Sequence, residues 1–427
     1  MTTKFETGLT YARELDQQDD LKQMREHFYI QPGEIYMDGN SLGLSSKEAE
    51  AALLRMMEVW KKEGIKIWNV EDGKYYHYSN KLAALTAPLI HADAGEIAIA
   101  GSTTANIHQC ISTFYQPTTE KYKILVDDLN FPTDRYAVDS QVRLKGLDPS
   151  EAVKVVASED GKTLSAEKII AAMTPDVALI LLPAVLYRSA QILDMKKITT
   201  AARKRGIYIG WDLCHAIGAI EMNFTELQAD FAVWCTYKYL GGGPGSIAGL
   251  YINKKHFAKM PGMTGWFGNK DETQFQLKHT FEPAPDASGW QVGTPSLFSM
   301  APLEGALQIF AQVGMPAIRK KSLQITAYLM YLIDEKLQAY GYGVGNPREN
   351  EARGGHVCLE HDEAYRISLA LKDKGVIPDF REPNVIRLAP IAFYTSYEEV
   401  YRVVEILEEI FVEKTFLEYS DKRGLVV

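Results

Sequence analysis

Cysteine is scarce in this chain, and the little there is lies scattered. Cys110, Cys214, Cys235 and Cys358 are the only four in 427 residues. They have neither the paired spacing of a zinc site nor the density of a disulfide framework. No apolar run approaches the ~18 residues that span a bilayer. The opening Met1-Thr2-Thr3-Lys4-Phe5-Glu6 lacks the apolar core of a secretory signal, and its early acid is unlike a transit peptide. Basic excess is missing too. A formal net charge of −9 argues against nucleic acid or an anionic membrane as the main partner. Neither a low-complexity run nor an internal repeat is present. What remains is an ordinary globular composition, 46% hydrophobic and 24% charged. The expectation is a cytoplasmic enzyme acting on a small molecule, too long for one core and so built of two unequal domains.

The apolar pattern divides the chain accordingly. Ser45 to Lys62 reads as an amphipathic helix, with Ser45 and Glu48 as a capping box and Leu53, Leu54, Met57 and Trp60 on its apolar face. From Glu96 onward, short strands alternate with polar turns and helices. Glu96–Ala100, Lys123–Asp127 and Asp176–Leu182 are strands, the last hydrophobic throughout, as a doubly covered parallel strand should be. This favours an α/β fold: a mostly parallel central sheet with helices on both faces, over residues 70–305. Beyond Ser299 the texture changes to a long helix, strands over Arg353–Glu360 and Val385–Ala389, and a helix over Ser396–Lys414. Residues 306–427 read as a smaller α+β domain, completed by residues 1–69.

Two buried strands carry the chemistry. Tyr208-Ile209-Gly210-Trp211 delivers Asp212, and Ala232-Val233-Trp234-Cys235-Thr236-Tyr237 delivers Lys238, followed by Gly241-Gly242-Gly243-Pro244-Gly245. A parallel sheet binds its ligand at such strand ends. An amine and a carboxylate meeting there suit pyridoxal 5'-phosphate (PLP): the lysine forms a Schiff base with the aldehyde, and the aspartate keeps the pyridine nitrogen protonated. A surface lysine is the ordinary alternative for Lys238, but a buried strand before it turns the amine inward, where desolvation makes it a nucleophile and base. Asp212 alone reads equally well as a helix cap, and His215 as a satisfied core histidine.

Other positions gain weight beside this pair. Thr103 and Thr104 open a helix directly after Gly101, a natural phosphate seat or simply an N-cap. Phe131 stands at the next helix entry, placed to stack on a ring or to staple the helix. Trp266 and Thr294 lie in glycine-rich loops. Arg387 sits on an apolar strand and needs an anion; a substrate carboxylate or an internal Asp or Glu would supply it.

Together these blocks resemble the fold-type I, class V PLP enzymes and, within them, the kynureninase family over most of the chain. The specific signatures are Tyr36-Met37-Asp38-Gly39-Asn40-Ser41-Leu42-Gly43, Gly101-Ser102-Thr103-Thr104, Asn130-Phe131-Pro132-Thr133-Asp134, Trp211-Asp212-Leu213-Cys214-His215-Ala216, Tyr237-Lys238-Tyr239 and Gly289-Trp290-Gln291-Val292-Gly293-Thr294-Pro295. The resemblance implies hydrolysis of L-kynurenine, or its 3-hydroxy derivative, to anthranilate and L-alanine in tryptophan catabolism. It implies that Lys238 bonds the cofactor, Asp212 holds the pyridine nitrogen, His215 lies beside the ring and Phe131 stacks on it. Thr133 and Asp134 belong to the same cofactor block, and Thr103, Thr104 and Tyr237 contact the phosphate region. Trp266 and Thr294 would reach in from the other subunit of a homodimer. Arg387 would hold the substrate carboxylate, with Trp68 and Asn69 near the substrate ring. Pro183 departs from the family pattern of Ser or Thr, and offers neither hydroxyl nor N–H. Tyr237 is the expected acid/base, its phenol lowered from a reference of about 10 by the helix and Lys238.

Rival readings differ in one group each. A cysteine desulfurase or selenocysteine lyase would need a reactive thiol on a mobile late loop, and the one late cysteine, Cys358, falls in an apparent strand. An aminotransferase would need a keto-acid acceptor. A PLP-binding regulator would have no use for Lys238 and Tyr237 together.

Overall fold

The computed structural model describes residues 5–422. Its centre is a seven-stranded sheet. From one edge the order is Ile97–Ile99, Gly249–Ile252, Phe231–Trp234, Tyr208–Asp212, Val177–Pro183, Lys123–Asp127 and Val153–Val156. Only Gly249–Ile252 runs antiparallel to its neighbours. Alternate residues of each strand enter opposite apolar layers. Leu179 and Leu181 pack with Ile107, Phe114 and Val138 on one face, while Ile180 and Leu182 pack with Ile198, Leu213 and Leu307 on the other. Both faces are therefore dry, which explains the uninterrupted apolar run of Val177–Pro183.

A four-stranded antiparallel sheet, in the order Asp379–Arg381, Val385–Leu388, Val357–Glu360 and Gly343–Val344, builds the second layer system. Its core takes Ile325, Leu329 and Ile333 from the helix Met315–Lys336 and Val400, Val404 and Leu407 from the helix Tyr397–Val412. The N-terminal segment is shared between the two cores: Ala12, Leu15 and Met37 join the smaller one, Leu21 and Met24 the larger. The strand expected over Arg353–Glu360 begins only at Val357. Among the described residues no helix is long and apolar enough to cross a membrane.

One helix differs from its expected form. It spans Lys47–Glu63 and is capped by Ser46, whose side chain accepts from the Ala49 N–H, rather than by Ser45. Its buried side is Ala49, Ala52 and Met56, while Leu53, Leu54 and Trp60 are exposed. The helix Leu297–Val313 selects this face by close approach: a Cβ on Gly305 would stand 2.1 Å from the Glu48 carbonyl oxygen. Only small side chains fit such a crossing, so the bulky apolar ones turn outward.

Candidate active site

A cavity of about 420 Å³ opens at the carboxyl ends of the parallel strands, where the chain leaves each strand and side chains point beyond the sheet. Several strand exits contribute. Thr103 and Thr104 begin the helix Thr103–Phe114. Phe131, Thr133 and Asp134 open the helix Pro132–Leu144, with Pro132 at its first position. Asp212 and His215 follow the fourth strand from the edge, Tyr237 and Lys238 the third. All of these border the cavity.

Lys238 is held from behind by the Asp38–Gly43 turn. The Gly43 N–H donates to the Tyr237 carbonyl at 2.8 Å, and a Cβ on Gly43 would lie 2.5 Å from the Lys238 carbonyl oxygen. That close approach explains the glycine ending the Tyr36–Gly43 motif. Lys238 Nζ lies 2.9 Å from His215 Nε2 and 5.9 Å from the centre of the Phe131 ring. Burial, then the Lys238 charge, drives the His215 imidazole well below its ordinary range, so it faces the amine neutral. Its Nδ1 is buried without a partner.

Two buried carboxyl groups share the same wall. Asp212 accepts the Cys214 N–H at 2.8 Å. Burial pushes its proton affinity up, against the N–H bond and the Lys238 charge. Asp134 is raised further, by burial and then by Asp212, although the Asn130 amide donates to it at 2.8 Å. Carboxyls in this position are stabilised by a cationic N–H donor, which a protonated pyridine would be. The helix start at Thr103, with the Thr104 and Thr133 hydroxyls 2.7 Å apart, offers donors at the positive end of a helix dipole. The residues present thus fit PLP. No group of three or more His, Cys, Asp or Glu side chains among the described residues could hold a metal ion.

The expected lowering of the Tyr237 phenol is not found. Burial raises it, and the acidic neighbours Cys235, Cys214 and Asp212 add to the rise. Pro183 borders the cavity as the last residue of its strand. The next N–H, of Ala184, is spent on the Asp212 carbonyl at 2.8 Å.

The opposite wall comes from the smaller sheet and the N-terminal turn. Arg387, 1% exposed, has both anionic and neutral partners: Nε donates to Asp379 at 2.5 Å, and its two terminal nitrogens donate to the Tyr187 carbonyl and the Ser41 hydroxyl, each at 2.8 Å. The internal acid weighed as an alternative is therefore present as Asp379, yet Arg387 still borders the cavity. Arg381 also borders it and shares Asp379 through Nε at 2.9 Å. Ser41, Tyr187 and Arg381 escaped the sequence reading; two arginines six apart on neighbouring strands were the available sign.

Four expected site residues lie outside this cavity. Trp68, half-buried, packs on the larger core, and Asn69 beside it is exposed. Trp266 is 43% exposed, its indole donating to the Gln274 carbonyl at 3.1 Å, and Thr294 is exposed.

Comparison with known proteins decides the family. A kynureninase from Geobacillus thermodenitrificans (strain NG80-2) is 53% identical over 425 residues, covering 100% of this chain and 99% of the relative. The chain belongs to the kynureninase family. A kynureninase from Shouchella clausii (strain KSM-K16) is 49% identical, covering 97% of each, and a family profile, the kynureninase C-terminal domain, matches residues 318–407. Among solved structures, an apo cysteine desulfurase from Thermococcus onnurineus NA1 superposes with a TM-score of 0.78 at 17% identity, covering 92% of this chain and 98% of that one. A cysteine desulfurase from Escherichia coli gives 0.76 at 15%, covering 96% and 99%. These two likenesses establish the fold, a PLP fold-type I α/β architecture. The late cysteine that the desulfurase reading would need, Cys358, is 1% exposed inside a strand and does not border the cavity. In this kynureninase-family chain the cavity is walled on one side by the large sheet and on the other by the small one.

Proposed function

We propose that the cavity binds PLP and that the chain hydrolyses L-kynurenine to anthranilate and L-alanine, a step of tryptophan catabolism. The observation carrying this is the Lys238 amine facing the buried Asp212 carboxyl across one cavity, in a chain of this family. Bound PLP supplies the electron sink that lets a carbon next to the substrate amine lose its proton. Lys238 is the residue that holds the cofactor, and Asp212, supported by Asp134, holds the pyridine N–H. Phe131 covers the ring, His215 lines it, and Thr103, Thr104 and Thr133 take the phosphate. With substrate bound, the Lys238 amine would take the α-proton; the neutral His215 at 2.9 Å adds no competing positive charge there. Tyr237, held as a phenol, donates its proton to the γ-carbonyl oxygen as water adds, and the phenolate so formed takes the proton that the attacking water gives up. Arg387 orients the substrate carboxylate.

The chain works as a cytoplasmic homodimer with shared sites. Leu53 and Trp60, seven apart on one helix, are exposed, and Trp60 packs edge-on against the exposed Phe298; Trp266, Thr294, Trp68 and Asn69 lie outside this chain's own cavity, as residues serving a second copy would. An equal mixture of inactive Trp266→Ala and Lys238→Ala proteins should then regain about a quarter of wild-type sites on subunit exchange; a mixture that stays inactive removes the shared site. For the reaction, purified protein with PLP and kynurenine should release anthranilate fluorescence and alanine in equal amounts. Amino exchange with pyruvate and no anthranilate would overturn it.

A further inference from the structure

Two of the four cysteines stand where the sheet opens into the cavity. Strands Tyr208–Asp212 and Phe231–Trp234 run parallel with Asp212 opposite Val233. The pairing continues one bond further, the Leu213 N–H donating to the Val233 carbonyl at 2.8 Å. Cys214 and Cys235 each lie two residues beyond that register pair, so they meet across the seam. The Cys235 N–H donates to Cys214 Sγ at 3.2 Å, which puts the two cysteines in direct contact. Both border the cavity. Cys214 Sγ also lies 3.8 Å from the Thr103 hydroxyl, while its N–H serves Asp212. The hydrolysis uses neither thiol.

We propose that Cys214 and Cys235 form a peroxide-oxidisable dithiol whose closure to a disulfide keeps the cofactor out. Adjacent strands lie about 4.8 Å apart, inside the Cα separation of about 4.4–6.8 Å that a disulfide bridges. Cys235 sulfur, as thiolate, attacks one oxygen of hydrogen peroxide; the O–O bond breaks, hydroxide leaves and takes up a proton, and a sulfenic acid remains. Cys214 sulfur then attacks Cys235 sulfur, the S–O bond breaks, and the S–S bond forms as Cys214's proton leaves with the hydroxyl as water. Two thiols give up two electrons and one peroxide becomes two waters.

The order of attack follows from the surroundings. The neighbouring Cys235 thiol, then burial, pushes the Cys214 thiol up. For Cys235, burial acts upward but is outweighed by the neighbouring Cys214 thiol and the Lys238 charge, leaving it below the ordinary thiol. The other two cysteines are poor targets. Cys110 is fully buried within a helix, Cys358 is pushed up to about 12 by burial, and neither borders the cavity. Closure commits Cys214 Sγ, which stands 3.8 Å from the Thr103 hydroxyl, to the bridge and takes that contact from the cofactor wall. That consequence rests on the cavity being the PLP site; the thiol chemistry does not.

The test uses the full chain, stripped of PLP and treated with hydrogen peroxide. Titration in denaturant should find the four thiols reduced to two, non-reducing peptide mapping should find Cys214 linked to Cys235, and dithiothreitol should restore all four. PLP uptake, read by absorbance, should be lost in the linked form and return on reduction. Cys235→Ala should give no linked peptide and no peroxide-dependent loss of uptake. Four surviving thiols, losses shared with Cys110 and Cys358, irreversible loss of one thiol without linkage, or a linked form that takes up PLP like the reduced one would each overturn the proposal. Failure of the reduced protein to take up PLP would sink the cofactor reading instead, with the thiol titration still deciding the dithiol.

Discussion

The two walls of the cavity are built by different means. On the sheet wall each residue sits just past the end of a strand, so backbone pairing fixes it: Asp212 closes Tyr208–Asp212, and Lys238 follows Phe231–Trp234 by four positions. On the other wall, position depends on charge. Arg387 and Arg381 share one aspartate, Asp379, and Arg387 reaches across to Ser41, 346 residues away in sequence. A wall set by backbone tolerates loss of a side chain and loses only chemistry. A wall set by buried ion pairs loses its shape as well.

Single substitutions can break this contrast. Lys238→Ala should lower kcat by about 10³-fold or more with little change in Tm, since among the described residues its amine is held by one hydrogen bond, to His215, and a distant ring contact with Phe131; a large fall in Tm would mean the sheet wall is structural too. Arg387→Met should raise KM and also cost about 1–3 kcal/mol of stability in urea melts, because the Tyr187 carbonyl and Ser41 hydroxyl lose their donor and Asp379 keeps only Arg381. Arg381→Met, whose side chain is 31% exposed, should cost under about 1 kcal/mol. Equal losses from the two arginines would remove the distinction between them.

Tyr237→Phe should lower kcat by about 10²-fold without moving Tm. Because burial holds the phenol up, no limb of the wild-type pH profile near neutrality should vanish with it. The smallest effect is a drift of stability with pH. Burial, reinforced by Asp379, raises the Asp38 carboxyl from 3.8 to about 6. The folded state therefore keeps that proton longer than the unfolded chain does. The stability it contributes is complete below 3.8 and lost as pH rises through about 6. Urea midpoints should fall across that window, and Asp38→Asn should flatten the fall.

The same contrast marks what the sequence could tell. The parallel sheet, the helix entries at Thr103 and Pro132, and the meeting of Asp212 with Lys238 follow from local patterns, because strand ends and helix starts are written in adjacent residues. The charged wall was half legible: Arg387 stood out on its apolar strand, and Asp379 and Arg381 lie on the adjacent strand of the same antiparallel pair, but Ser41 is brought to it by tertiary folding alone. The helix Lys47–Glu63 failed for a related reason. Its periodicity announces an apolar face, yet the neighbour at Gly305 accepts only the alanine side. For Tyr237, nearby positive groups argued for a lowered phenol, and the desolvation that reverses the sign is invisible until burial is known.

Reduction of the PLP-loaded protein with borohydride, followed by peptide mapping, tests the account at its centre. A single pyridoxyl-bearing peptide containing Lys238 is the expected result. Label on any other lysine, or none, would contradict it.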